Sequence, residues 1–187
     1  MRNFVKIGQG IDTAPLLLAI ARQPGLWNRH TIRQDVEGSP HAGIPDIWLR
    51  YNDEKPFKEK GDYTGFNDPH DPVFYPEWFA LPQVRPIVFG LMARVEGTRL
   101  GGILITKIPP GGRVTPHADD GWHVKHYNTK LYVPLQSNPK CWNRVEDEVV
   151  RMAPGDVWYF DNTKEHEVVN EGEDDRITLI VSIRCEK

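Results

Sequence analysis

The stretch His117-Ala118-Asp119 places an imidazole and a carboxylate two residues apart, and a second imidazole, His166, follows far downstream. Ten residues after His166, Arg176 opens an otherwise apolar run that ends at Ile183. Two imidazoles and one carboxylate on one face of a metal leave three positions open, the facial arrangement of non-haem Fe(II) oxygenases. An arginine entering the same cavity can hold the far carboxylate of a keto-acid cosubstrate through a bidentate pair. Asp120 stands next to Asp119, and alternation along a strand favours Asp119 as the ligand, because it shares the face of His117. Arg176 has a plainer reading as the partner of Asp174 or Asp175, but a cation among apolar neighbours needs some anion, and a bound carboxylate is the natural one.

Three ligands so far apart in sequence meet only if a sheet closes around them. From Leu100 onward, short strand-like segments alternate with turn signals such as Pro109-Pro110-Gly111-Gly112, Ser137-Asn138-Pro139 and Ala153-Pro154-Gly155. The pattern predicts eight strands: 102–108, 113–116, 124–135, 140–144, 148–152, 156–160, 165–170 and 176–184. That density indicates a jelly-roll, cupin-like barrel, the double-stranded β-helix, with a ligand at its mouth. The fold class expected is mainly β (α+β), with N-terminal helices packed on the barrel. In the last strand Arg176, Thr178, Ile180 and Ser182 share one face, and Ile177, Leu179, Val181 and Ile183 the other.

The first half reads as scaffold. A helix is expected over 16–22 behind the cap-like Asp12-Thr13-Ala14-Pro15, and a second over 83–95, closed by Gly97. Residues 27–33 and 47–51 read as extended or mixed. Residues 52–76, rich in Pro, Gly, Asp and Lys, read as a long loop of the kind that forms lids. The 187 residues suffice for a single domain: 1–99 as scaffold and lid, 100–187 as catalytic core.

A net charge of −3 with no basic run gives no footprint for nucleic acid. No apolar stretch approaches a membrane span, and the first residues lack a signal-peptide core, so no membrane partner and a cytoplasmic setting are expected. Two cysteines, Cys141 and Cys185, fit reduced thiols.

Several of these segments together resemble the aspartyl/asparaginyl β-hydroxylase family. They are Pro110 to His117, Gly155 to Val168 with its Asp161-Asn162-Thr163-Lys164-Glu165-His166 core, and Arg176-Ile-Thr-Leu-Ile-Val. The likeness covers residues 100–184, with a weaker echo at Leu26-Trp27-Asn28 and Asp46 to Arg50. It implies an Fe(II)- and 2-oxoglutarate-dependent oxygenase that uses molecular oxygen and gives succinate and CO2 as coproducts. The substrate it implies is an Asp- or Asn-type residue in a protein, or a small amino-acid-like molecule. His117 and His166 match the metal histidines and Arg176 the arginine for the distal 2-oxoglutarate carboxylate. Some members have glycine where Asp119 stands here. Members also carry a second basic contact on the third strand, for which His126 and Lys130 are the nearest counterparts. Trp122 and His123 flank the site and are candidates for substrate contact.

A cupin-type metalloenzyme, an isomerase or a dioxygenase without keto acid, is the competing reading, because Gly111 six residues before His117 and His166 before Asn170 resemble cupin signatures. A binding module with a vestigial site is the third, and the intact ligand set argues against it.

Overall fold

Apolar alternation, cut by tight turns, folds the second half of the chain into hairpins, and strands of the first half extend the result. The structure is a computed structural model that describes residues 3–186. Its strands are β1 (Phe4–Gly8), β2 (Asp46–Tyr51), β3 (Val73–Phe74), β4 (Gly97–Ile108), β5 (Arg113–His117), β6 (Thr129–Gln136), β7 (Cys141–Val145), β8 (Glu148–Val150), β9 (Val157–Phe160), β10 (His166–Asn170) and β11 (Arg176–Cys185). Its helices are α1 (Ala14–Ala21), α2 (Ile32–Asp35), α3 (Lys55–Lys60), α4 (Pro76–Ala80), α5 (Val84–Arg94) and α6 (Trp122–His126), with a 3-10 turn over Pro24–Leu26.

Two antiparallel sheets face each other. The larger runs β1-β9-β6-β11-β4-β2-β3 and the smaller β5-β10-β7-β8, the double-stranded β-helix. β2 pairs with β4 and β1 with β9, so the large sheet is built from both sides of residue 99.

The strand alternation decides what each face does. Ile177, Leu179, Val181 and Ile183 of β11 join Ile103 and Ile105 of β4 in a core that also takes Leu16 and Ile20 of α1 and Val84, Val88 and Leu91 of α5. Helices therefore cover the outer face of the large sheet, and the inner face is left for the barrel cavity. At the turn into β9, Gly155 has φ +79°, and a Cβ there would come within 2.6 Å of the Ile11 carbonyl oxygen, so glycine is required on both counts.

The structure corrects several local expectations. Residues 124–135 are not one strand: Trp122–His126 form a helical turn, and only Thr129–Gln136 enter the sheet. The aromatic and basic side chains of that turn stack on one another, with Trp122 on His126 at 4.8 Å and His123 on Tyr127 at 4.8 Å. Residues 27–33, expected to be extended or mixed, are mixed: turns lead into α2 at Ile32. The 52–76 segment is partly regular, holding α3 and β3. Glu96, at φ +51°, takes the left-handed position after α5 in place of Gly97, which already belongs to β4.

That segment is tied to the scaffold by a buried ionic clasp. His30 Nδ1 bonds Glu54, and its Nε2 lies 3.8 Å from Glu77 Oε2. Both carboxylates are buried, at 4% and 1% exposure, so each needs a cation or a donor. Lys58 and Arg29 add contacts at 2.5 Å to Glu54 and 3.3 Å to Glu77. Burial alone would depress the His30 pKa, but hydrogen bonds and charge from Glu77 and Glu54 outweigh it and raise the value above the ordinary 6.5. The clasp contributes stability that is fully present below pH 6.5 and is lost as pH rises through the raised value. His30→Ala is expected to cost about 3 kcal/mol in acidic buffer, the low end for a broken buried pair because Arg29 and Lys58 remain. Urea unfolding across pH will show the gap between wild type and variant narrowing toward alkaline pH; a pH-independent gap rules the clasp out.

Candidate active site

Antiparallel pairing of β5 with β10 makes His117 and His166 direct cross-strand partners. Their rings lie 4.3 Å apart, centroid to centroid. Each ring donates from Nδ1 to a backbone carbonyl two residues earlier: His117 to Thr115 at 2.8 Å and His166 to Lys164 at 2.9 Å. A carbonyl oxygen can only accept, so both Nδ1 atoms carry a proton, and Nε2 is the atom of each neutral ring that can ligate a metal. Burial pulls the His166 pKa down to about 4, against the opposing charge of Asp119, so the ring is neutral at neutral pH.

Asp119 completes the set. It lies beyond the last residue of β5, so the loop rather than strand alternation places it beside His117. Its Oδ1 is 3.4 Å from His117 Nε2. One donor atom from each of His117, Asp119 and His166 falls within 4.8 Å of the others, the one such group of metal-binding type among the described residues. Burial would raise the Asp119 carboxyl, but the Lys130 ammonium against it holds it far below the usual carboxylate range. One carboxylate with two imidazoles is the donor set a divalent iron takes, so these residues fit the metal. The neighbouring Asp120 turns to solvent and pairs with Lys125 at 3.2 Å.

Beyond the metal-type cluster lies an inner cavity of about 50 Å³ whose walls include His117, His166, Tyr132, Thr178 and Arg176. Arg176 is 3% exposed and donates from Nη2 to Asn143 Oδ1 at 3.0 Å. Among the described residues no carboxylate pairs with it, and Asp175 instead faces Lys107 at 3.7 Å. Burial pulls the Arg176 pKa down to about 10, which leaves the guanidinium charged. Asn143 Nδ2 and Thr178 Oγ1 are buried without a hydrogen-bond partner. A buried cation and a hydroxyl with unused hydrogen-bonding capacity on one cavity, the cation backed by an amide, describe a socket for a carboxylate.

An outer cavity of about 450 Å³ opens in front of Asp119 and is walled by Tyr51, Phe66, Trp122 and His123 on one side and residues 36–41 on another. Arg33, His41, Leu104, Lys130 and Ile180 line both cavities and make them continuous. Burial, then Lys130 and His70, bring the His123 pKa down to about 4, and its Nε2 has no partner.

The expected residues thus divide. His117, Asp119, His166, Arg176 and Lys130 surround the cavities, and Trp122 and His123 line the outer one. His126 does not: it sits in the helical turn with Nδ1 on Arg184 at 3.1 Å and lines neither cavity, because the strand that would have aimed it inward does not exist there. Lys130 is committed to Asp119, Nζ to Oδ2 at 2.6 Å. Arg33, Tyr132, Asn143 and Thr178 join the site without any expectation from sequence. Of these only Thr178 had a signal, its parity with Arg176 along β11.

The family model described as aspartyl/asparaginyl beta-hydroxylase matches residues 80–185. No curated protein sequence matches the chain. Among solved structures it is similar to a prolyl hydroxylase from Trichoplax adhaerens crystallised with a hypoxia inducible factor peptide, at 15% identity and TM-score 0.59 over 97% of this chain and 83% of that one. It is also similar to a Pseudomonas putida prolyl-4-hydroxylase, at 16% identity and TM-score 0.57 over 98% and 92% of the two chains. A viral collagen prolyl hydroxylase from Paramecium Bursaria Chlorella virus-1 shares 13% identity and TM-score 0.56 over 99% and 97%. At such identities these likenesses speak for the fold. The family match spans more than half of the chain and includes both histidines, the aspartate and the buried arginine, and so this protein belongs to the aspartyl/asparaginyl β-hydroxylase family, as a 2-oxoglutarate-dependent hydroxylase working with Fe(II).

Proposed function

We propose that this hydroxylase oxidises an unactivated C–H bond of an Asp- or Asn-type residue in a protein, or of a small amino-acid-like molecule, in the outer cavity. The observation that carries the residue assignments is the shared inner cavity, lined by both His117 and His166 and by the buried guanidinium of Arg176, which pairs with no carboxylate among the described residues. His117, Asp119 and His166 hold Fe(II). With 2-oxoglutarate and molecular oxygen, the iron supplies an oxidant strong enough to hydroxylate carbon while the keto acid becomes succinate and CO2. Arg176 binds the distal carboxylate of 2-oxoglutarate, and Asn143 fixes the guanidinium plane through its Oδ1. Thr178 Oγ1, on the same cavity wall and without a partner, adds a hydrogen bond to that carboxylate. Tyr132, its pKa pushed up to about 12 by burial, stays protonated and shields the far wall from water.

The substrate enters between the 36–41 segment and the Tyr51 and Phe66 wall. Trp122 packs on it, and His123, neutral and unpartnered at Nε2, offers one hydrogen bond. Residues 1–99 act as scaffold and lid and residues 100–187 as catalytic core, although β1 and β2 lend strands to the core's sheet. No helix among the described residues is long and apolar enough to cross a membrane. Cys141 and Cys185 are free thiols, which suits the cytoplasmic setting we assign.

Two measurements test the assignments. Anaerobic titration with Fe(II) and then 2-oxoglutarate is expected to give a visible charge-transfer band. Arg176→Ala should weaken 2-oxoglutarate binding by about 100-fold, as for truncating one partner of a buried charge pair. A band and affinity unchanged in the variant remove Arg176 from the cofactor site. Second, His166→Ala and Asp119→Ala are expected to abolish tight binding of a divalent ion in competition with a chelator, while Asp120→Ala binds as wild type does. Loss of binding in Asp120→Ala alone would transfer the ligand role to that neighbour. Succinate release, screened with aspartyl and asparaginyl peptides and free amino acids, decides the substrate class.

A further inference from the structure

Asp119 lies past the end of β5, so no sheet pairing fixes its carboxylate. The loop between β9 and β10 does. Asn162 grips Asp119 twice: its carbonyl accepts from the Asp119 backbone N–H at 2.9 Å, and its Nδ2 donates to Oδ2 at 2.7 Å. Lys130 Nζ reaches the same oxygen at 2.6 Å. Oδ2 therefore holds two donors, while Oδ1 faces His117 Nε2 at 3.4 Å, on the side of the histidines. Asn162 is itself buried, at 8% exposure, so its amide must find a partner inside the protein, and Asp119 is that partner.

We propose that Asn162 is a positioning residue for the metal, which together with Lys130 occupies Oδ2 and leaves Oδ1 as the oxygen that Asp119 presents to the ion. The inference rests on the metal role assigned to Asp119 above. A carboxylate on a loop would otherwise rotate about its terminal torsion and spend much of its time in orientations that bind poorly. Hydrogen bonds to the outer oxygen remove that freedom before the ion arrives. Asn162 is the cleaner of the two holders to test, because the Lys130 charge also acts directly on a cation, and truncating it would mix lost orientation with relieved repulsion.

The probe is Co(II), titrated against a chromophoric chelator into full-length wild type, Asn162→Ala and Asn162→Ser. Melting of each metal-free protein is measured in parallel. The alanine variant is expected to bind Co(II) about 10-fold more weakly, the lower end for a lost hydrogen bond to a metal ligand. Its bound-Co(II) visible bands should shift, and its metal-free melting temperature should stay close to wild type. The serine hydroxyl is too short to span the gap, so that variant should weaken binding as well; it decides the matter if the alanine variant does not fold. Wild-type affinity and bands in a folded variant overturn the proposal, as does weakening fully accounted for by lost metal-free stability. A wild-type protein that binds no Co(II) fails at the earlier step and removes the metal assignment itself.

Discussion

The antiparallel pairing of β5 against β10 is the constraint on which the site depends. It sets His117 opposite His166 in register, and the carbonyls of Thr115 and Lys164 then fix both tautomers. No side chain is needed to orient either ring. β10 in turn pairs with β7, which carries Asn143 to the guanidinium of Arg176. A slip of one residue by β10 would turn His166 to the opposite face and part it from His117. The larger sheet complements the smaller one. The outer face of β11 anchors the molecule to its helices, and its inner face carries Arg176 and Thr178 into the cavity.

Much of this was legible in the sequence, for physical reasons. Turn dipeptides and alternating apolar residues marked the strands of the second half, because proline and glycine interrupt pairing wherever they fall. Metal-type residues announce themselves by identity, since few other side chains can ligate iron. Arg176 stood out because a permanent charge inside an apolar strand demands an explanation.

What stayed hidden has equally physical causes. The turn at Trp122–His126 has no apolar period of its own; ring stacking among its neighbours and the adjoining walls holds it, and those contacts are invisible in one dimension. The false strand there carried His126 into the expected site. Asn162 and Asn143 matter through local hydrogen bonds, two to Asp119 and one from Arg176, which leave no pattern along the chain. Arg33 reaches the cavities from a segment whose sequence reads as extended or mixed, and is held there by Asp46 of β2 at 2.8 Å. β1 leaves no clear mark in the sequence because only Phe4 of its residues is buried; an edge strand half open to water shows little contrast.

The walls of the outer cavity carry one more consequence. Tyr51, Phe66 and the 36–41 segment belong to the first half of the chain, whereas the imidazoles and the guanidinium belong to the second. The outer cavity therefore takes one wall from the first half of the chain, while Trp122 and His123 of the second half supply part of the other. The His30 clasp ties Glu54 and Glu77, at the two ends of the segment that carries Phe66, to the scaffold. Such a chain can exchange the shape of its entrance and keep the reactive centre intact, so new preferences can arise by local rewriting of residues 33–41 and 51–67 rather than by rebuilding the barrel.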